Sequence, residues 1–237
     1  MNINIAILVL LGAAAGLLAQ ESPSPVEAAS PTPEQTSSTS PSASTARNVP
    51  LRFVPPPMEG TISLGIFDSN DKLVRVLHRE SKIDNFTIDE NALKTTWDGK
   101  NDAGEDLLPG KYRARGYMVA KLKVEDLGKA ESLPGDASDH ISVKLVTNPL
   151  SNDTRVIIEI TAGFDDKGTF LETMDHLPLA TIRSFSNMWR IKMAKNGEKT
   201  VDVWLDEEQN EMPNSEHLRV SNIDKMMAFD CGFFELR

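Results

Sequence analysis

From residue 58 onward, apolar residues recur at every second position in short runs, and turn residues separate the runs. Ile62, Leu64 and Ile66, for example, alternate with small or polar residues. A period of two places every second side chain on the same face of a β-strand. Short strands joined by Gly, Pro and Asp turns at this spacing are typical of β-sandwiches. The sequence therefore predicts an all-β chain.

The first strands of this pattern form a predicted β-hairpin. The runs 61–66 and 72–79 flank Asp68–Asp71, whose residues tolerate the left-handed conformation that tight turns require. Farther along, Tyr112–Val119 alternates again and is predicted as the last long strand of this unit.

Four segments of this unit carry a resemblance to a known family: Ile66–Asp68, Leu73–Leu77, Trp97–Gly104 and Pro109–Arg113. Together they resemble the Ig-like domain of the flagellar hook-capping protein family. The resemblance covers about residues 58–119 and implies an Ig-like β-sandwich, placed here at 58–127. It also implies a module that recurs in secreted bacterial multidomain proteins, and it says little about function.

Trp97 and Tyr112 admit two interpretations. They are either exposed anchors for a ligand or members of the sandwich core, where the tyrosine makes a corner hydrogen bond. The family pattern favours the core, since buried aromatic side chains dominate the energetics of sandwiches.

The loop after Trp97 has a spacing close to that of a calcium loop. Asp98, Asn101 and Asp102 supply oxygen atoms, but Lys100 stands where such a loop needs a ligand, and the distal Glu is lacking. The loop is therefore predicted to consist of Asx-turns, and no metal site is predicted.

The second half of the chain is predicted as a connector, 128–140, followed by a β-rich domain, 141–237. Asn196-Gly197 separates two alternating runs and predicts a second hairpin. Phe164–Leu171 is typical of a strand-turn-strand unit, and Met226–Leu236 is an apolar run. These features predict either a second all-β domain or a partial extension of the first sheet.

The N-terminal 57 residues are predicted to lie outside the folded part. Residues 3–19 carry no charge and end in small residues, so 1–19 are predicted as a signal peptide cleaved after Ala19, with an uncleaved membrane anchor as the alternative. Nine of the 14 prolines lie in 20–57, where Ser and Thr also abound. This segment is predicted as a disordered linker.

Charge and cysteine content exclude several functional classes. The chain has 25 Lys and Arg against 35 Asp and Glu, so its net charge of −10 disfavours nucleic-acid binding. Cys231 is the only cysteine, which excludes an intramolecular disulfide. Its apolar neighbours predict a buried, inert thiol with a raised pKa. The four histidines lack metal-ligand spacing.

These observations predict an exported, non-catalytic interaction or scaffolding protein, secreted or periplasmic. No catalytic, cofactor-binding or metal-ligating residue is predicted, and no cofactor. The expected partner is another envelope or extracellular protein or a glycan. Nucleic acid is not expected, and the membrane is a partner only if the N-terminal segment remains uncleaved.

The alternative function is that of a secreted hydrolase or a glycan-binding accessory protein. Its site would be formed by two carboxylates drawn from Asp165, Asp166, Asp206, Glu207 and Glu208. Glycoside chemistry requires two such groups across one cleft, about 5 to 10 Å apart.

Overall fold

The computed structural model of the chain describes residues 47–184, 188, 190–206 and 215–237. The predicted signal peptide and the linker up to residue 46 lie outside these residues. The regular structure of these residues is β-strand, apart from one short 3-10 turn at Ile83–Asn85. All pairs of strands described are antiparallel. The all-β prediction is confirmed. Within the described ranges, no helix is long and apolar enough to cross a membrane.

Two sheets form the first sandwich. Sheet I has the order β1-β5-β4 and sheet II the order β15-β6-β2-β3. Their strands are β1 (Val49–Phe53), β2 (Thr61–Phe67), β3 (Leu73–Ser81), β4 (Thr87–Asp89), β5 (Ala92–Trp97), β6 (Gly110–Val119) and β15 (Met226–Leu236).

The core of the first sandwich is built around Trp97, whose side chain is fully buried. Its indole N–H donates to the carbonyl oxygen of Lys100 at 2.8 Å, and its ring meets Tyr112 edge-on at 5.3 Å. The Tyr112 hydroxyl donates to the carbonyl oxygen of Leu108 at 2.8 Å. Both aromatic residues therefore belong to the core, and the predicted corner hydrogen bond is confirmed.

The loop after Trp97 begins with the predicted Asx-turn. A carboxylate oxygen of Asp98 accepts the Lys100 backbone N–H at 3.1 Å. Asp102 instead reaches the edge of sheet II, where its carboxylate accepts the Val76 N–H at 3.0 Å. The loop thus covers part of the edge strand β3.

Strand β1 lies within 20–57, the predicted linker, and shows that the linker is shorter than predicted. Leu51 and Phe53 are buried in the first core, and β1 pairs with β5 along its whole length. The alternation of Val49, Leu51 and Phe53 was obscured by the surrounding prolines. Pro50 is tolerated because β1 is an edge strand, where a missing N–H breaks no ladder.

The remaining strands form two further sheets that share a second core. Sheet III has the order β11-β10-β9-β8 and sheet IV the order β12-β13-β14-β7. Their strands are β7 (Lys123–Ala130), β8 (His140–Lys144), β9 (Ile157–Asp165), β10 (Gly168–Thr173), β11 (Pro178–Arg183), β12 (Arg190–Lys195), β13 (Thr200–Asp206) and β14 (Ser215–Ser221). Side chains from both sheets meet in this core, among them Val143, Ile160, Leu179, Met193, Val203 and Leu218.

Three predicted local connections are confirmed. Strands β2 and β3 form a hairpin through Asp68–Asp71, and β12 and β13 form another through Asn196-Gly197. Gly197 has a φ of +84°, which glycine adopts without a steric cost. Strands β9 and β10 pair on either side of the turn at residues 166–167, as the strand-turn-strand pattern predicts.

Two strands belong to sheets on the other side of the predicted domain boundary. Strand β7, most of which was placed in the first domain, pairs with β14 in sheet IV. The C-terminal strand β15 returns to the first sandwich and pairs with β6 from Met226↔Val119 to Leu236↔Gly110. The first sandwich is therefore completed by the C-terminal strand β15.

Sheet II separates the two cores. Successive side chains of a strand point to opposite faces, and β6 uses both faces. Tyr112 and Met118 lie in the first core, whereas Tyr117 and Val119 lie in the second. Burial on both faces makes sheet II the layer between the two cores in the described part of the chain.

Replacing Trp97 by Ala in the full chain should lower the free energy of unfolding by about 3 to 5 kcal/mol, because it leaves a cavity in the first core. The full chain is needed because β1 and β15 contribute to that core. Urea unfolding followed by circular dichroism measures the change. Leu108→Ala is the control, since Leu108 is 80% exposed, and should change the free energy by less than about 0.5 kcal/mol. An unshifted transition for Trp97→Ala would contradict the core assignment.

Candidate binding cleft

A cleft of about 720 Å³ opens beside the edge strands of the first sandwich. It is lined by the end of β1, the β4–β5 turn, a segment before β9, and parts of β6 and β15. The lining residues are Arg52, Phe53 and Val54; Glu90, Asn91 and Ala92; Leu150, Ser151, Asn152 and Asp153; Arg113; and Phe229, Asp230 and Gly232.

A β-bulge in β15 shapes the floor of the cleft. The register with β6 shifts between Asp230 and Gly232, so Cys231 is the extra residue. Gly232 has a φ of +83°, and its N–H donates to a carboxylate oxygen of Asp230 at 2.8 Å. Bulges bend a strand and redirect its side chains. This bulge fixes the Asp230 carboxylate beside the strand β6.

Asp230 forms an ion pair with Arg113 on β6. The Arg113 Nε donates to Asp230 Oδ2 at 3.0 Å, and the Nη2 contacts the same oxygen. The hydrogen bond to Asp230 raises the pKa of the Arg113 guanidinium. Both side chains remain partly exposed to the cleft, at 30% and 19%.

A second pair, Arg155 with Asp153, is more deeply buried. The side chain of Asp153 is only 3% exposed, and Arg155 Nε donates to its two oxygens at 3.0 and 3.1 Å. Burial by itself would raise the pKa of Asp153, but the hydrogen bonds and charge of Arg155 outweigh it and hold that pKa below its usual value. The pair is therefore ionised in the folded chain at neutral pH.

Arg155 also fastens its segment to sheet II. Its Nη2 donates to the carbonyl oxygen of Phe229 at 2.8 Å, and its guanidinium lies 4.7 Å from the centre of the Tyr117 ring. Upstream, Asn148 Nδ2 donates to the Ala228 carbonyl oxygen at 3.0 Å. We call residues 145–155 the bracing segment, because these bonds hold it along the edge of β15.

The cleft offers fixed charges at its floor and a mixed rim. Arg52 is half-exposed and donates to Glu90 at 3.3 Å across the mouth. Val54 and Leu150 are 48% and 57% exposed. Since Asp153 and Asp230 are both bonded to arginines, their carboxylates are held in fixed orientations. Such an arrangement suits recognition of a surface more than proton transfer.

Three of the five carboxylates of the alternative hypothesis, Asp165, Asp166 and Asp206, lie outside this lining. Asp165, at the end of β9, is paired with Arg79. Asp206, at the end of β13, is paired with Arg190 at 2.7 Å and accepts the Ser215 hydroxyl. Asp166 lies in the exposed β9–β10 turn, and Glu207 and Glu208 fall outside the described residues.

The histidines are placed singly, each with its own neighbours. The His78 ring contacts the Thr95 hydroxyl at 2.7 Å, and burial lowers its pKa. His176, at a φ of +66°, bonds Glu172 at 2.9 Å, and His217 stacks on Trp204 at 4.6 Å. Among the residues that the structure describes, no three His, Cys, Asp or Glu side chains could together hold a metal ion.

Sequence reasoning missed the charged residues of the cleft. Arg113 and Asp230 both stand within otherwise apolar or alternating strands. A charged residue in such a strand could have indicated a site with paired charges, because a charge near a core needs a partner. The Asp153–Arg155 pair gave no comparable indication, since it lies in a polar turn.

In comparisons with known proteins, the chain matches no family model, no curated protein and no solved structure. The resemblance to hook-capping Ig-like domains therefore stays a prediction.

Replacing Arg155 by Met should lower the free energy of unfolding by about 3 to 5 kcal/mol, because Asp153 would remain buried without its partner. Chemical denaturation measures this loss. Adding Asp153→Asn to Arg155→Met should restore part of it, because the amide carries no charge to leave unpaired. Lys123→Met, which breaks the exposed pair with Glu125, is the control and should have little effect. Equal losses for Arg155→Met and Lys123→Met would contradict the proposed role.

Cys231 should be inert towards thiol reagents in the folded chain. Burial raises the pKa of its thiol to about 12, so the reactive thiolate is nearly absent at pH 8. Titration with a disulfide reagent should show slow modification without denaturant and rapid modification of one thiol in urea. Rapid modification of the native chain would show that the thiol is accessible and ionised.

Proposed function

We propose that the chain is an exported, non-catalytic β-sandwich protein that acts as an interaction or scaffolding module. Its first sandwich is Ig-like in this proposal, and its place is the periplasm or the extracellular space. The partner is another envelope or extracellular protein or a glycan, which contacts the cleft beside β1 and β15.

The observation that carries this proposal is the pairing of the charges at the cleft floor. Asp153 and Asp230 are each bonded to an arginine, and Arg155 is bonded to the backbone of β15 as well. Side chains held in this way lose little conformational entropy when a partner binds. A pre-organised floor is what a binding surface needs.

The rim supplies the contact groups. Val54 and Leu150 are exposed apolar side chains on different walls, and Arg52 and Glu90 provide one charge of each sign. Interfaces of soluble proteins combine apolar contacts with a polar rim in this manner. The mixed signs favour a partner with both donors and acceptors over a purely anionic one.

Export is supported by the N-terminal sequence. The uncharged run 3–19 and the Pro, Ser and Thr content that follows it are typical of an exported protein with a spacer. A single cysteine, whose thiol is partly buried, is compatible with an oxidising compartment because no second thiol is present to pair with it within the chain.

The test uses the mature full chain and two double variants. Val54→Asp with Leu150→Asp alters the cleft rim, and Val124→Asp with Leu127→Asp alters two exposed apolar residues of β7, outside the cleft. Envelope proteins or glycans captured by the parent chain should be lost by the cleft variant and retained by the β7 variant. Thermal unfolding verifies that both variants fold.

Two results would overturn the proposal. One is retention of every captured partner by the cleft variant. The other is turnover of a hydrolase substrate by the purified chain, with activity lost when a single residue such as Asp165 or Asp206 is replaced by Asn or Ala.

A further inference from the structure

A second pocket, of about 310 Å³, lies at one end of sheets III and IV. Three lysines line it, Lys144, Lys195 and Lys199, together with the acidic residues Glu198 and Asp224. In a chain with a net charge of −10, three ammonium groups around one small pocket form a local positive field. Such a field raises the local concentration of anions even when the whole molecule repels them.

The fold brings these lysines together from distant parts of the sequence. Lys144 is the last residue of β8 in sheet III, and Lys195 is the last residue of β12 in sheet IV. Lys199 lies in the β12–β13 turn, and its carbonyl oxygen accepts the Ile223 N–H at 3.2 Å. The turn is therefore held against the β14–β15 connection, and the pocket is fixed by backbone pairing.

The charges in the pocket are not fully compensated. Lys199 Nζ lies 3.6 Å from Asp224 Oδ2, so these two groups largely neutralise each other. Lys144 and Lys195 form no ion pair with any residue in the described part of the chain, and both are exposed. Glu198 is exposed as well and offsets one of them at most. The pocket thus keeps a net positive charge and two ammonium groups free to donate.

The lining also restricts the kind of ligand. Lysine ammonium groups are compact donors that suit the oxygen atoms of an oxyanion. Among the described residues, no aromatic side chain lines the pocket, and the apolar ones that do are Leu145 and Val146. A ligand therefore gains most of its affinity from a small group with several negatively charged oxygens.

We propose that this pocket binds a phosphoryl group. The group is either free phosphate or the headgroup of an anionic lipid, since both present the same oxygens to Lys144 and Lys195. Val146 and Ile157, the residue paired with Lys144, are exposed apolar neighbours at this end of the molecule. They would lie against the acyl region if the source is a lipid.

The first test is calorimetric titration of the full chain with inorganic phosphate at low ionic strength. Binding should be saturable, and the double variant Lys144→Gln, Lys195→Gln should weaken it by about tenfold or more, because two charge-assisted hydrogen bonds are lost. The matched control is Lys82→Gln with Lys167→Gln. It removes the same charge from two exposed lysines elsewhere and should weaken binding less than about twofold.

The second arm distinguishes the sources. Vesicles of phosphatidylcholine are compared with vesicles that also contain phosphatidylglycerol, in a sedimentation assay with the same variants. Lysine-dependent binding of free phosphate, of the anionic vesicles alone, or of both supports the site and identifies its source. The proposal is overturned if the chain binds neither, or if the pocket and control variants weaken binding equally.

The pocket shares no lining residue with the cleft. The variant Val54→Asp, Leu150→Asp should therefore leave phosphate binding unchanged, so that a failure of either proposal is recognised separately.

Discussion

The pairing of β15 with β6 is the contact on which the rest of the structure depends. It places the last strand of the chain at the edge of sheet II, where Phe229 and Leu236 enter the first core and Met226 and Ala228 enter the second. Loss of this pairing would expose apolar surface of both cores at once. Packing in either core stabilises β6 and β15, and the other core contains side chains of the same two strands. The stabilities of the two cores are therefore linked.

Both edges of sheet II are partly covered by loops. Such cover protects the sheet because unpaired backbone groups at an edge invite pairing with other chains. On the β3 side, the Asp102 carboxylate accepts the Val76 N–H. On the β15 side, Val146 and Asn148 of the bracing segment donate to the carbonyl oxygens of Met226 and Ala228. Two loops, after Trp97 and before β9, thus protect the edges of sheet II.

Strands that show a clear alternation or a typical turn could be predicted from the sequence alone. The alternation of β2 and β6 and the Asn196-Gly197 hairpin follow from period and turn chemistry alone. Strand β7 was missed because it is an exposed, charged edge strand with no buried face, and exposure removes the alternation that reveals a strand.

Non-local pairing could not be predicted in the same way. The C-terminal apolar run was recognised, but nothing in its composition states that it pairs with a strand more than 100 residues earlier. The cleft shares this difficulty, because Arg113, Asp153 and Asp230 become neighbours only once β15 has joined β6. A site whose residues are brought together by a long-range strand pair cannot be predicted from the sequence unless that pair is predicted first.

The bracing segment connects the two sites that the chain presents. Its first residues, Leu145 and Val146, line the lysine pocket, and its later residues, Leu150 to Asp153, line the cleft. Between and beyond these positions, Val146, Asn148 and Arg155 are bonded to the backbone of β15 at 3.1, 3.0 and 2.8 Å. The residues that line the two sites are thus attached to one strand by hydrogen bonds. The geometry of both sites is therefore set by the same strand that closes the fold.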